Sequence, residues 1–204
     1  MVMSELLATF IFFFAVIDPI GTVPVFISVT NHYEEKVKRK IAFQATFVSA
    51  LILIFFVVAG ELVLNAINIP LSAFQIAGGI ILFLFALTMI FGESKPEEEL
   101  KMAGNANETA IFPLAVPSIA SPGAILAAVL MTENNRYNLF EQVQTSLMIL
   151  AVLLVVLVLM LLATWVHRFI GNGGASIVSR VMGMILAAMA VSNVLAGIKD
   201  YFAI

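Results

Sequence analysis

Two dipeptides place a polar side chain and a proline inside apolar stretches of the chain. Asp18-Pro19 interrupts the run FFFAVIDPIGTVPVFIS, and Ser121-Pro122 leads into Gly123 in the run PLAVPSIASPGAI. A proline inside a helix removes a backbone donor and clashes with the preceding turn. Asp and Ser are favoured N-caps, and proline is favoured at the first helical position. Each dipeptide therefore predicts the start of a half-helix within an interrupted apolar segment.

The chemistry of two such helix starts suits a small zwitterion. A helix start presents unpaired N–H groups and about half a positive charge, which favours an anionic group. A carboxylate at membrane depth is costly and is functional by default. We therefore expect the ammonium of an amino acid to face Asp18 and its carboxylate to face the N–H groups after Ser121. Asp18 is also the candidate for proton coupling; the alternative, equally favoured by the sequence, is that it only caps the half-helix.

The backbone around the breaks and three amide side chains complete the predicted binding site. Gly21, Pro24, Pro117 and Gly123 would keep the backbone open, and Pro24 would free a carbonyl one turn earlier as an acceptor. The amides would either line a cavity or bond between helices, and the second role is the more common. The predicted substrate-binding residues are Asp18, Pro19, Ile20, Gly21, Pro24, Pro117, Ser121, Pro122, Gly123, Gln44, Gln75 and Asn193.

The composition sets the class of protein that carries these breaks. The chain has 204 residues, of which 62% are hydrophobic and 11% charged, and its mean hydropathy is +1.09. Soluble domains are nearer 45–50% apolar. The sequence therefore predicts one all-α integral membrane domain over residues 1–204, with the lipid bilayer as its main surroundings.

Several classes of function are excluded by what the sequence lacks. There is no cysteine, and the two histidines are far apart, so neither a metal site nor a redox cofactor is expected. The net charge of −3 is small and no basic patch with interleaved aromatics occurs, which argues against a nucleic-acid partner. At membrane depth, one aspartate and scattered serines do not make a nucleophile–base pair, so an enzyme is not expected. No phosphate-binding loop for ATP occurs.

Six apolar stretches are long enough to cross a hydrocarbon core of about 30 Å. They cover residues 5–30, 41–64, 69–91, 109–131, 146–170 and 176–198. The first and fourth carry the breaks, so each half has three spans with its first span broken. An odd number of spans inverts the second half relative to the first, which is the inverted-repeat architecture of secondary transporters. We predict repeat one over about 4–91, a cytoplasmic loop over about 92–108 and repeat two over about 109–199.

The basic residues predict the orientation in the membrane. Eight fall in or beside the first, third and fifth connections: Lys36, Lys38, Arg39, Lys40, Lys95, Lys101, Arg168 and Arg180. Only Arg136 and Lys199 fall on the opposite face. The positive-inside rule places the first group in the cytoplasm, and both termini are then expected outside.

The segments DPIGTVPVF and PLAVPSIASPGAI, with six spans in 204 residues, resemble the MarC/SnatA family of prokaryotic inner-membrane proteins. The resemblance covers essentially the whole chain. It implies a small multi-pass transporter of the plasma (inner) membrane with three-plus-three repeats. An archaeal relative is associated with uptake of glycine and alanine, which implies a small neutral amino acid as substrate. Many relatives have Asn and Gly where this chain has Thr22 and Ser121.

The sequence thus favours a secondary transporter of small neutral amino acids that works by alternating access with H⁺ or Na⁺ coupling. The alternative is a channel or pore for a small ion or polar solute. Flux through a transporter saturates, whereas flux through a pore hardly does. A third interpretation is an assembly subunit whose breaks are only structural. The sequence leaves the oligomeric state, the coupling ion and the direction of transport open.

Overall fold

The computed structural model describes residues 3–91, 106–134 and 136–202, and the regular secondary structure of these residues is entirely helical. In chain order the helices are α1 Met3–Ile17, α2 Pro19–Thr30, α3 Glu35–Ala66, α4 Leu71–Phe91, α5 Ala106–Ile119, α6 Pro122–Leu130, α7 Leu139–Leu161 and α8 Ala163–Phe202. The predicted cytoplasmic loop, about 92–108, lies for the most part outside the described residues.

The membrane-spanning segments agree with the predicted fold class. Within the described residues, five segments are long and apolar enough to cross a bilayer: Ser4–Thr30, Glu35–Ala66, Leu71–Phe91, Leu139–Leu161 and Ser176–Phe202. Helices α5 and α6, bent by 57° at their junction, make a sixth when they are counted as one span. In the first span 61% of the most apolar window is buried, against 22–33% in the other four. The chain is therefore an all-α integral membrane protein with its first, broken span near the centre.

The predicted fifth span is present, but its predicted bounds of 146–170 are wrong, because α7 begins at Leu139 and ends at Leu161. Its start is fixed by a capping box. The Asn138 side chain accepts from the backbone N–H of Glu141 at 3.0 Å, and the Glu141 carboxylate accepts from the Asn138 N–H at 3.0 Å. These two bonds satisfy donors that would otherwise be unpaired at the helix start.

The eighth helix is bent near its start. Gly171 has φ 61° and ψ 176°, a backbone conformation that only glycine adopts without strain. Residues 163–170 therefore form a short arm that points in a different direction from the membrane span Ser176–Phe202. The arm is the part that the prediction had joined to the fifth span.

Helices α4 and α8 form the most extensive helix pair among the described residues. A Cβ atom added to Gly79 would lie 3.1 Å from the carbonyl oxygen of Ala190, and one added to Gly183 would lie 3.0 Å from that of Ala86. Both glycines let the backbones approach closely. The two contacts are related by an exchange: Gly183 lies 104 positions after Gly79, and Ala86 lies 104 positions before Ala190. This exchange is what the predicted inverted repeat would produce, although the repeat as a whole stays a prediction.

Candidate functional site

The first break in the helix is confined to one residue. Asp18 adopts φ 51° and ψ 68°, in the left-handed region, and its Oδ1 accepts from the backbone N–H of Gly21 at 3.0 Å. Pro19 follows as the first residue of α2, so the predicted cap is confirmed. The Asp18 N–H still donates to Phe14 and its carbonyl still accepts from Thr22, so helical bonding continues across the break. The interruption is slighter than the two prolines of this segment suggest.

The Asp18 side chain lies in the interior and reaches two helices. It is 2% exposed. Its Oδ2 accepts from the Ser179 hydroxyl of α8 at 3.3 Å. A Cβ at Gly21 would overlap the Asp18 carboxylate and would lie 2.9 Å from the Ser179 Oγ. Position 21 must therefore be glycine for this arrangement to form.

The second break is longer and more irregular than the first. Within α5 the backbone is extended at Phe112 (φ −123°, ψ 123°) and at Val116 (φ −133°, ψ 127°). Each of these residues precedes a proline, and proline disfavours the helical conformation in the residue before it. The irregular backbone thus begins before the predicted interruption at 117–123. Ser121 then caps α6, and its Oγ accepts from the Ala124 N–H at 3.1 Å.

The two breaks are adjacent in space. The Ser121 hydroxyl donates to the backbone carbonyl of Val16 at 3.4 Å. A Cβ at Gly123 would lie 3.1 Å from a methyl group of Val16, so the start of α6 packs directly against the end of α1. Ser121 is fully buried, as is Val16. The start of α6 therefore contacts the end of α1, two residues before the Asp18 cap, while the meeting of the two helix starts and the binding role of these residues stay predictions.

The remaining predicted residues are distributed unevenly around the breaks. Ile20, Pro24 and Pro117 are partly buried, and Pro122 is exposed. The Pro24 carbonyl accepts from the Ser28 hydroxyl at 2.6 Å. The prolines thus shape the backbone of the breaks while lying at their margins.

The three predicted amides lie on three different helices. Gln75 is buried on α4. Gln44 is partly buried on α3, and its Oε1 has no hydrogen-bond partner within the part of the chain that the structure describes. Asn193 lies fourteen residues after Ser179 on α8, roughly 21 Å along the helix axis, and it lines a cavity instead. The structure therefore does not bring Asn193 to the breaks.

A cavity opens on each face of the helix bundle. The larger, of about 510 Å³, is named here the Glu5 cavity and is lined by Glu5, Ala8, Thr9, Phe12, Met131, Arg136, Tyr137, Glu141, Met189, Ser192 and Asn193. The smaller, of about 130 Å³, is named the Lys38 cavity and is lined by Phe26, Ile27, Thr30, Asn31, Glu35, Lys38, Arg39, Met160, Leu161, Ala163 and Thr164. Along the first span, the former reaches to Phe12 and the latter begins at Phe26. Asp18 lies between them, so neither cavity extends to the breaks.

Charged side chains tie the α6–α7 connection to two other helices beside the Glu5 cavity. Arg136 Nε lies 3.0 Å from Glu133 Oε2, and Arg136 also pairs with Asp200 of α8. Glu61 of α3 accepts from the Asn134 N–H at 2.8 Å. Burial raises the pKa of Glu133 above its usual value; Arg136 opposes this rise, and Glu61 and Asp200 add to it. Among the described residues no group of His, Asp or Glu side chains is placed to hold a metal ion.

Sequence reasoning missed Ser179, the residue that reaches Asp18 from α8. Its hydroxyl is an unremarkable feature of the sequence near the start of the last span. One signal was present: Ser179 lies 104 positions after Gln75, the same separation as between Gly79 and Gly183. Adding the separation of 104 positions to each polar residue of the first repeat would have identified Ser179 as the counterpart of Gln75.

Comparison with known proteins identifies the family. The model of the MarC family, described as integral membrane proteins, matches residues 3–202. The chain belongs to the MarC family. Three relatives illustrate the similarity. A UPF0056 membrane protein of Methanocaldococcus jannaschii is 37% identical over 193 residues, covering 91% of this chain and 92% of the relative. One of Aquifex aeolicus is 33% identical over 195 residues, covering 94% and 91%.

The third relative is the inner membrane protein YhgN of Escherichia coli, 32% identical over 200 residues that cover 97% of this chain and 98% of the relative. No solved structure matches the chain. The family and the apolar helices together make this chain a multi-pass integral membrane protein. The resemblance inferred from the two broken segments is thus confirmed for the MarC family.

Proposed function

We propose that this MarC family protein is a secondary transporter of small neutral amino acids, such as glycine and alanine, in the prokaryotic plasma membrane. The observation that carries the proposal is the contact between the start of α6 and the end of α1, two residues before the Asp18 cap, at a buried place between two cavities on opposite faces. The name of the Escherichia coli relative supports the inner membrane as the location. The distribution of lysine and arginine supports termini outside.

The chemistry of the two breaks supports a zwitterionic substrate. Asp18 supplies a buried carboxylate for the substrate ammonium. At the second break Pro122 has no N–H, and the Ala124 N–H is capped by Ser121. The Gly123 N–H therefore is the first-turn donor that a substrate carboxylate would take, because first-turn donors have no acceptor within their own helix. A small substrate fits this proposal because the two breaks are already in contact.

The barrier on each side of the breaks supports alternating access in preference to an open pore. Phe13 and Ile17 lie between the Glu5 cavity and Asp18, and both are fully buried. Val25 is fully buried between Asp18 and the Lys38 cavity. A transporter needs such a closed centre that is reached from one face at a time. The energy would come from coupled H⁺ or Na⁺ movement, with Asp18 as the proton-carrying candidate.

The test is uptake of radiolabelled glycine and alanine by liposomes that contain the purified protein. We expect saturable uptake, driven by a proton or sodium gradient, and chemically unchanged solute inside, as a carrier and not an enzyme requires. Asp18→Asn should lower uptake at least about tenfold while the protein stays folded, since one lost charge-assisted contact costs about 1.5–3 kcal/mol. Asp200→Asn is the matched control, because these are the two aspartates of the chain.

Each other outcome would count against the proposal. Rapid flux that does not saturate would indicate a channel or pore. Absence of both binding and flux for all small amino acids would favour a structural or assembly role. Full uptake and full coupling in Asp18→Asn would remove the proposed site while leaving transport itself intact.

A further inference from the structure

The Asp18 carboxylate is shared between two helices that belong to opposite ends of the chain. Oδ1 accepts from the Gly21 N–H at 3.0 Å, which keeps the start of α2 capped. Oδ2 accepts from the Ser179 hydroxyl of α8 at 3.3 Å. Charge-assisted O–H···O bonds are usually about 2.5–2.7 Å long. The bond from Ser179 is therefore the weaker of the two and the one that another donor can replace.

Little space is left around the contact between Asp18 and Ser179. Asp18 is 2% exposed. On the Gly21 side, a single added carbon would overlap the carboxylate and lie 2.9 Å from the Ser179 Oγ. An incoming ammonium group would need a position about 2.8 Å from Oδ2. An ammonium group that approaches Oδ2 from the Ser179 side takes the place of the Ser179 hydroxyl, which must then move away.

We propose that Ser179 is a positioning residue that holds Asp18 Oδ2 in the substrate-free protein and is displaced by the ammonium group of the substrate. The capping bond from Gly21 to Oδ1 is kept throughout, so the first break stays intact. Displacement of Ser179 releases this one polar contact between α8 and the first span, while their other packing contacts remain. The choice of ligand rests on the proposed function, whereas the restraint of Asp18 by Ser179 does not.

Helix α8 is suited to transmit this release. Ser179 follows the bend at Gly171 by eight residues, and a Cβ at Gly171 would meet nothing within 4 Å. Farther along the same helix, Met189 and Asn193 line the Glu5 cavity. The residue that touches Asp18 and the residues that form the wall of this cavity thus share one helix. Release at Ser179 therefore couples occupation of the centre to the shape of the cavity.

The first experiment measures glycine and alanine binding by calorimetry and uptake in liposomes for Ser179→Ala and Ser179→Thr. Removal of the competing hydroxyl in Ser179→Ala should tighten binding about two- to tenfold, the effect of one ordinary hydrogen bond. The apparent KM should fall, because the substrate no longer competes with a hydroxyl. The maximal rate should also fall, because Ser179 no longer binds Asp18 again when the substrate leaves. Ser179→Thr keeps a hydroxyl and should have the binding constant, KM and maximal rate of the wild type. Ser176→Ala, one turn earlier on α8, is the matched control and should change neither.

The second experiment needs no ligand and follows hydrogen–deuterium exchange of the detergent-purified protein in residues 18–25 and 176–182. Ser179→Ala should speed exchange in both segments, and Ser176→Ala should speed neither. Faster exchange in a protein that binds no amino acid would overturn the proposed function and keep the restraint. Normal amino-acid binding with unchanged exchange would overturn the restraint and keep the proposed function.

A further variant covers the case in which Ser179→Ala does not fold. Ser179→Cys has nearly the same size, and its thiol is a weak donor. It should bind the substrate more tightly than Ser179→Thr does. Equal or weaker binding in folded Ser179→Cys or Ser179→Ala would mean that Ser179 either has no part in substrate binding or contacts the substrate directly, and the proposal would fall.

Discussion

The Ser121 hydroxyl donates to the Val16 carbonyl over 3.4 Å, and this contact joins residues that are 105 positions apart. Val16 lies two residues before the first break, and Ser121 is the cap at the second. One serine therefore closes its own helix start and rests on the helix that leads to the other break. The stability of the centre and its chemistry depend on the same few atoms, which makes the substitutions below informative.

Ser121→Ala removes both bonds of this serine, and we expect it to destabilise the protein by about 0.5–2 kcal/mol, the usual cost of losing a helix cap to alanine. Ser121→Gly should cost only a few tenths as a cap, because glycine is tolerated at this position. Thermal unfolding in detergent compares the two. A Ser121→Ala melting temperature equal to that of the wild type would show that the bonds of this hydroxyl contribute nothing to stability.

Gly21→Ala should destabilise the protein by about 1–3 kcal/mol, because overpacking of a filled interior forces side chains from their positions. The new methyl would overlap the Asp18 carboxylate, which cannot move without giving up its cap. Gly173→Ala is the control, because a Cβ there meets nothing within 4 Å. The melting temperatures should separate clearly; a Gly21→Ala protein as stable as Gly173→Ala would contradict the packing described for Asp18.

Gly79→Ala and Gly183→Ala should each cost about 1–3 kcal/mol, since both place a methyl against a backbone carbonyl that cannot rotate away. If the two contacts are equivalent by internal symmetry, the losses should agree within about 1 kcal/mol. Unfolding curves of the two variants, measured side by side, check this. A large loss at one glycine and none at the other would argue against equivalent repeats.

Glu133→Gln should alter the pH dependence of stability. The pKa of Glu133 is raised in the folded protein, chiefly by burial, so the folded state binds its proton more tightly than the unfolded state. This tighter proton binding stabilises the folded wild type fully below the ordinary pKa of glutamate. The stabilisation is lost as the pH rises through the raised pKa. The variant does not titrate.

Its melting temperature relative to the wild type should therefore rise as the pH increases above the ordinary pKa of glutamate, 4.5. A relative melting temperature that stays level or falls over this range would mean that Arg136 outweighs burial at Glu133.

Local rules gave most of the fold from the sequence. The apolar stretches located the spans, and the order Asp-Pro and Ser-Pro located both caps, because capping depends on residues within one turn. The start of α7 was also readable, since Asn138 and Glu141 have capping-box spacing. The prediction missed this start because it bounded the span by its apolar residues, and Glu141 is charged. The sequence did not show how short the first break is, because a single left-handed residue lets helical hydrogen bonding resume.

Contacts between distant helices account for the rest. Ser179 is 161 positions from Asp18, and nothing near either residue signals that they meet. Asn193 was chosen for its type, but its place along α8 puts it beside a surface cavity. Which polar residue on a buried helix reaches the centre depends on how helices cross, and the apolar pattern alone does not determine this.

The bend at Gly171 also fixes how α8 meets the lipid. A straight helix of 40 residues would extend about 60 Å, twice the hydrocarbon thickness of about 30 Å. With the bend, residues 163–170 can lie flat among the headgroups, a depth at which tryptophan is enriched, and Trp165 is 61% exposed there. A bilayer with shorter acyl chains would draw this arm toward the opposite leaflet and strain the glycine. The protein should therefore work at a rate that varies with the thickness of its host membrane.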